Sequence, residues 1–117
     1  MLQKFKNNKK LDAFQKLEYN WNGYEAPPIP HQVINRVRRL VKGLTFQPKI
    51  FPTACKSIQL EYEKKNGDYL EIEITTTNME VYRVISDNEE EFVLPFGIDK
   101  IEDLIRNFYN QVKEASA

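Results

Sequence analysis

Apolar residues recur at helical intervals along the first part of the chain and at every second position along much of the rest. Leu11, Phe14, Leu17 and Trp21 are spaced by three, three and four residues, one face of a helix, and predict a first helix over 8–20. The run Asn20-Trp21-Asn22-Gly23-Tyr24-Glu25-Ala26-Pro27-Pro28 ends it. Gly and Asn accept a left-handed conformation at a helix end, and proline cannot continue a helix. Pro30 suits the first turn of a second helix, where its missing N–H costs nothing. Val33, Val37, Leu40, Val41 and Leu44 form that helix's stripe; Arg36, Arg38, Arg39 and Lys42 lie largely off it, and Gly43 stands near its end.

Beyond Pro48 the period falls to two. Ile58, Leu60 and Tyr62 alternate with Gln59, Glu61 and Glu63, and Leu70, Ile72 and Ile74 alternate with Tyr69, Glu71 and Glu73. Asn66-Gly67 between these runs predicts a hairpin. A two-residue turn would set Tyr62 opposite Glu71 and put the two apolar rows on opposite faces, which a one-sided core forbids. A three-residue loop, Lys65-Asn66-Gly67, instead pairs Tyr62 with Leu70, Leu60 with Ile72 and Ile58 with Ile74, with Gly67 in the left-handed bulge position. Further strands are predicted over about 79–85 and 90–96, joined through Ser86-Asp87-Asn88, with Pro95 at a strand terminus or edge. Ile98, Ile101, Leu104, Ile105, Phe108 and Val112 predict a last helix over about 99–113. Asp99, Glu102 and Asp103 begin it, where the helix dipole favours them.

The expected fold is α+β. Two N-terminal helices precede an antiparallel meander of four strands, or five if Phe51-Pro52-Thr53 pairs, and a C-terminal helix packs on one sheet face. The 117 residues suit one domain over 1–117, with 1–7 and 114–117 expected to fray.

Charge sharpens this picture. Lys plus Arg and Asp plus Glu each number 17, so the formal net charge is zero and no overall polarity announces a nucleic-acid or membrane partner. Yet residues 1–56 hold eleven basic and three acidic side chains, a balance of +8, and residues 57–117 hold six and fourteen, a balance of −8. The halves are expected to attract each other on folding. One Cys excludes an internal disulfide, and one Cys with one His cannot close a Cys/His zinc site. The basic N-terminus lacks the apolar region of a secretory signal, and no apolar run is long enough to span a bilayer. The expected setting is cytoplasmic.

The leading candidate site is acidic. In the argued register Glu61 faces Glu71 and Gln59 faces Glu73, and any even-length loop over 75–78 brings Glu80 or Tyr82 beside them. Opposed like charges cost a sheet roughly 0.2–1 kcal/mol per pair. A docking face for a basic protein therefore competes with an ordinary solvated face and, more remotely, with an oxygen-ligand metal site. Trp21 and Tyr24 flank a turn beside two prolines. They read either as an aromatic contact for a partner or as a core cap whose indole N–H bonds a loop carbonyl. The arginines on the second helix do not share one narrow face, which favours solvation over phosphate contact. His31 and Cys55 lack the partners that acid–base or thiolate catalysis needs. There is no Gly-x-Gly-x-x-Gly, no phosphate-loop pattern and no Gly-x-Ser-x-Gly elbow.

The residues Asn20-Trp21-Asn22-Gly23-Tyr24-Glu25-Ala26-Pro27-Pro28-Ile29, then Phe51-Pro52-Thr53, then Ile58-Gln59-Leu60-Glu61-Tyr62 and Leu70-Glu71-Ile72-Glu73-Ile74 together resemble a family of small uncharacterised bacterial proteins. Its members read roughly NWDGYxAxPI, PT, IQLEW and LEIEI. The likeness spans about residues 11–85. Asn22 stands where Asp is usual, Tyr62 where Trp is common, and Cys55-Lys56 where an acidic, glycine-rich turn is frequent. The resemblance implies a bacterial, intracellular origin and carries over no catalytic residue.

The expectation is a protein-binding module of the antitoxin, immunity or anti-defence kind. Its partner would be a basic protein, met through Glu61, Glu71, Glu73, Glu80, Tyr82, Trp21 and Tyr24. No catalytic residue, metal ligand or cofactor is assigned. Two alternatives stay open: a small-molecule or nucleotide-handling enzyme with a cleft between sheet and helices, and a nucleic-acid binder using the basic N-terminal half.

Overall fold

Among the described residues three helices and five strands follow one another as α1 (Leu2–Gln15), α2 (His31–Gly43), β1 (Lys49–Pro52), β2 (Ile58–Glu63), β3 (Tyr69–Ile74), β4 (Met79–Ile85), β5 (Asn88–Leu94) and α3 (Ile98–Ala115). The computed structural model describes residues 2–115, and side chains over 2–110. The sheet is a pure antiparallel meander in the order β1-β2-β3-β4-β5. The segment around Phe51 does pair, so there are five strands: Ile50 lies opposite Leu60 and Pro52 opposite Ile58.

The central hairpin has the register that parity demands, Ile58 with Ile74, Leu60 with Ile72 and Tyr62 with Leu70. The Lys64 N–H donates to the Asp68 carbonyl at 2.9 Å and the Gly67 N–H to the Lys64 carbonyl at 3.0 Å, which closes the three-residue loop. Gly67 has φ +96°, a conformation that side-chain-bearing residues rarely adopt. Ile74 faces Met79, so the four-residue connection keeps the same face inward. The inner face, Ile50, Ile58, Leu60, Tyr62, Leu70, Ile72, Ile74, Met79 and Val81, forms one core with Val33, Ile34, Val37, Leu40 and Val41 of α2 and Ile101, Leu104, Ile105 and Phe108 of α3. The C-terminal helix thus covers this face of the sheet. Val112 and the expected fraying at 114–117 lie largely outside the described side chains; the helix itself continues to Ala115.

Three boundaries differ from the pattern-based reading. The first helix starts at Leu2, not Asn8, so the expected fraying over 1–7 does not hold for residues 2–7. Its first turns carry no apolar stripe; tertiary hydrogen bonds fix them. Asn7 is fully buried, accepts from Gln3 Nε2 at 3.0 Å, and donates to the Pro48 carbonyl at 2.8 Å and to Gln47 Oε1 at 3.2 Å. Lys4 Nζ donates to the Lys42 carbonyl at 2.8 Å, on the orphaned C-terminal end of α2. The helix then stops at Gln15 because the chain turns: Leu17 N–H reaches back only to Phe14, and Asn20 sits at φ +68°. Finally, β5 begins at Asn88, since Ser86 and Asp87 both take positive φ and make a two-residue turn that sets Ile85 opposite Asn88. Pro30 stands just ahead of α2, with its carbonyl accepting from Val33 and Ile34.

Candidate functional site: an acidic sheet face

Among the described residues no helix covers the outer face of the sheet. Period-two alternation places Glu61 and Glu63 of β2, Tyr69, Glu71 and Glu73 of β3, Glu80 and Tyr82 of β4, and Glu89, Glu91 and Val93 of β5 there. Glu61 faces Glu71, which faces Tyr82, which faces Glu91; Glu73 faces Glu80, which faces Val93. Five of the sequence-predicted residues, Glu61, Glu71, Glu73, Glu80 and Tyr82, therefore share one surface. A shallow groove of about 440 Å³ runs along it between Glu71, Glu73, Glu80, Tyr82, Glu91 and Val93.

Neutral donors hold these carboxylates. Tyr69 Oη donates to Glu71 Oε1 at 2.8 Å, Tyr82 Oη to Glu89 Oε1 at 2.7 Å, and Gln59 Nε2 to Glu61 Oε2 at 3.0 Å. Ser57, fully buried, donates to Glu73 Oε2 at 2.6 Å and also pairs with the Thr53 hydroxyl. A neutral donor orients a carboxylate without cancelling its charge, so the face stays both ordered and negative. At the β1 edge of this face Lys49 stands across the ladder from Glu61, and the Lys10 ammonium lies 5.3 Å over the ring of Phe51. The tyrosines register the field. Burial, then the hydrogen bond and charge of Glu71, push the Tyr69 phenol well above its ordinary range. The hydrogen bond to Glu89 comes first in raising Tyr82, followed by desolvation and the charges of Glu89, Glu91 and Glu71.

Glu73 corrects one part of the pattern-based picture. Its half-buried carboxylate is the acceptor for a buried hydroxyl, so it belongs to the framework as well as to the surface. Pattern reasoning missed Glu89 and Glu91. Their signal was the Ser86-Asp87 turn: once it counts as two residues, parity places both on the outer face.

Trp21 and Tyr24 do not join this surface. They sit in the connection between α1 and α2, where Trp21 is half-buried and its Nε1–H donates to the Pro27 carbonyl at 2.8 Å, as a structural indole would. Asn22 Oδ1 accepts from the N–H groups of Tyr24 and Ala26, and Asn20 Oδ1 accepts from Glu25 N–H, so the loop is held rigidly. It presents the Tyr24 ring, 87% exposed, to solvent.

On α2, Arg36 and Arg38 are tied down. Arg36 donates to the Thr75 carbonyl at 2.7 Å and lies 4.8 Å from the Phe96 ring centre, and Arg38 pairs with Asp12 at 2.8 Å. Arg39 and Lys42 remain exposed, as do His31 and Cys55. Among the described residues no three His, Cys, Asp or Glu side chains converge on a point that could hold a metal ion. No described helix is long and apolar enough to cross a membrane. No protein-family model matches the chain, and no curated protein or solved structure is significantly similar to it.

Proposed function

We propose that this chain is a binding protein that docks a basic protein surface on its outer sheet face. The observation that carries this reading is an uncovered sheet face whose carboxylates are oriented by neutral donors. Opposed like charges lower the stability of a sheet, and a partner that supplies cations recovers that loss on binding. An apolar core joins the sheet to α2 and α3, and a pocket of about 390 Å³ lies between Gln3, Lys49, Glu61, Tyr62, Tyr69 and Tyr109, where the alternative reading of an enzyme with a cleft between sheet and helices would place its site. The tethering of Arg36 and Arg38 weakens the nucleic-acid reading, because two of the α2 cations are already engaged.

At the finer level, the reading is of an antitoxin, immunity or anti-defence protein of a bacterial cytoplasm, the setting that the motif resemblance suggests. Glu61, Glu71, Glu80 and Tyr82 form the centre of the docking face, with Glu73 held from beneath by Ser57. The rigid loop that presents Tyr24 is a second contact point beside the half-buried Trp21.

The test uses two immobilised baits in a bacterial lysate, the wild type and Glu71→Gln/Glu80→Gln/Glu91→Gln. A basic protein held by the wild type at low salt and lost from the triple variant is the expected result. Stopped-flow association of that protein should then slow as salt rises, because surface charges act mainly on the encounter rate. Equal retention on both baits overturns the proposal.

A further inference from the structure

The segregated charge of this chain is not neutralised within the molecule. The four ion pairs among the described residues join Arg38 to Asp12, Lys64 to Asp68, Arg83 to Glu90 and Arg106 to Asp103. Each lies wholly within residues 1–56 or wholly within 57–117. The basic half and the acidic half fold against each other through apolar side chains; Lys64 and Asp68 are buried together, Lys49 lies across the ladder from Glu61, and most other charges stay at the surface. The expected mutual attraction of the halves is therefore not realised as ion pairs inside one copy.

The outward face of α1 has the properties that the acidic sheet face lacks. It carries Lys6 and Lys9 beside Leu2 and Phe5, which are 67% and 60% exposed, with the Lys9 ammonium 5.5 Å above the Phe5 ring. A helix with exposed apolar side chains flanked by cations fits a surface that offers apolar spots among carboxylates. The sheet offers Val93, 58% exposed, and the Tyr82 ring among Glu80, Glu89 and Glu91. The lengths also agree. The 14 residues of α1 span about 21 Å at about 1.5 Å per residue, and five strands about 4.8 Å apart cover about 19 Å.

Resting on the docking reading above, we propose that the basic protein this face receives is a second copy of the same chain, bound head to tail. The α1 face of one copy lies across the outer sheet face of the next. Zero net charge allows this, since no long-range repulsion keeps the copies apart. A head-to-tail contact joins two different surfaces and is therefore heterologous: a pair leaves one acidic and one basic face unsatisfied, and growth continues as a row.

The test is sedimentation velocity of the full chain at about 0.01 M salt, where charges act over about 30 Å, and at about 1 M, where they act over about 3 Å. Two variants accompany it, the acidic-face Glu71→Gln/Glu80→Gln/Glu91→Gln and the basic-face Phe5→Ser/Lys6→Gln/Lys9→Gln. All six side chains project from regular elements without entering the core, and circular dichroism checks that each variant is folded. The expected result is a concentration-dependent rise in mass for the wild type at low salt and its loss at high salt. Each variant alone should be monomeric, and a one-to-one mixture of the two should stop at the dimer, because each supplies one intact face. A wild type that stays monomeric at low salt while its sheet face still captures a basic lysate protein overturns self-association and leaves the docking reading standing. Association of the acidic-face variant equal to the wild type overturns self-association through this face, and equal lysate retention by that variant overturns docking as well.

Discussion

Replacing Glu61 and Glu71 together by glutamine should stabilise the isolated protein. The two residues oppose each other directly across the β2–β3 ladder, and both are half-buried. Opposed side chains bring carboxylates to roughly 6 Å, where two charges repel by about 0.7 kcal/mol at the dielectric of water. That agrees with the roughly 0.2–1 kcal/mol found for like charges facing each other in sheets. Glutamine keeps an acceptor for the Tyr69 hydroxyl and for the Gln59 amide, so no hydrogen bond need be lost. The gain should raise the urea midpoint by a few tenths molar, given about 1–3 kcal/mol/M for a small domain. It should be largest at about 0.01 M salt and nearly vanish at about 1 M, where charges are screened beyond about 3 Å. Glu73→Ala is the internal contrast. It removes the acceptor of the buried Ser57 hydroxyl and should cost about 1 kcal/mol despite also removing a negative charge. Urea unfolding at both salt concentrations decides the matter. A loss above about half a kcal/mol for the double variant, or a gain that salt does not change, would refute the view that this face carries unrelieved repulsion.

Three other expectations follow from buried groups. Phe108, on α3, is 1% exposed, so Phe108→Ala should cost about 3–5 kcal/mol and Leu104→Ala about 2–5; losses under half a kcal/mol in urea would show that α3 does not cover the sheet. Asn7→Ala leaves the Pro48 carbonyl without its buried donor and should cost about 1–3 kcal/mol, with amide exchange rising selectively in the first turns of α1; unchanged exchange there would remove Asn7 as the anchor. Burial, with a smaller contribution from Tyr109, holds the Tyr62 phenol above its ordinary 10.0, so the folded chain keeps it neutral where the unfolded chain ionises it. Stability from this group is complete below pH 10 and falls as pH rises through that value, by about 1.4 kcal/mol per pH unit; Tyr62→Phe should flatten the alkaline decline of the urea midpoint, and an equal slope in both proteins would refute the assignment.

Local pattern fixed much of this architecture before any tertiary contact was known. The period of two marked the strands, and the need for one apolar face allowed only one parity for the β2–β3 loop, so register, Gly67 and the shared face of Glu61, Glu71, Glu73, Glu80 and Tyr82 could be read directly. These are constraints between neighbours on a ladder, and the side-chain alternation of a strand transmits them without error. Tertiary structure decided what depends on partners distant in the chain. The first turns of α1 exist because Asn7 finds the carbonyl of Pro48, 41 residues away, and no helical stripe announces that. β1 is a strand because Ile50 meets Leu60. Arg36 is tied by the Thr75 carbonyl and Glu73 by Ser57, so a cation and a carboxylate that read as solvated are partly framework. The sequence showed two oppositely charged halves, but only the fold settled that they pack through apolar side chains, with most charges left at the surface and Lys64 buried beside Asp68. Core burial sets how the layers meet, so the charges of the two halves meet at few places, such as Lys49 opposite Glu61 on the β1 edge.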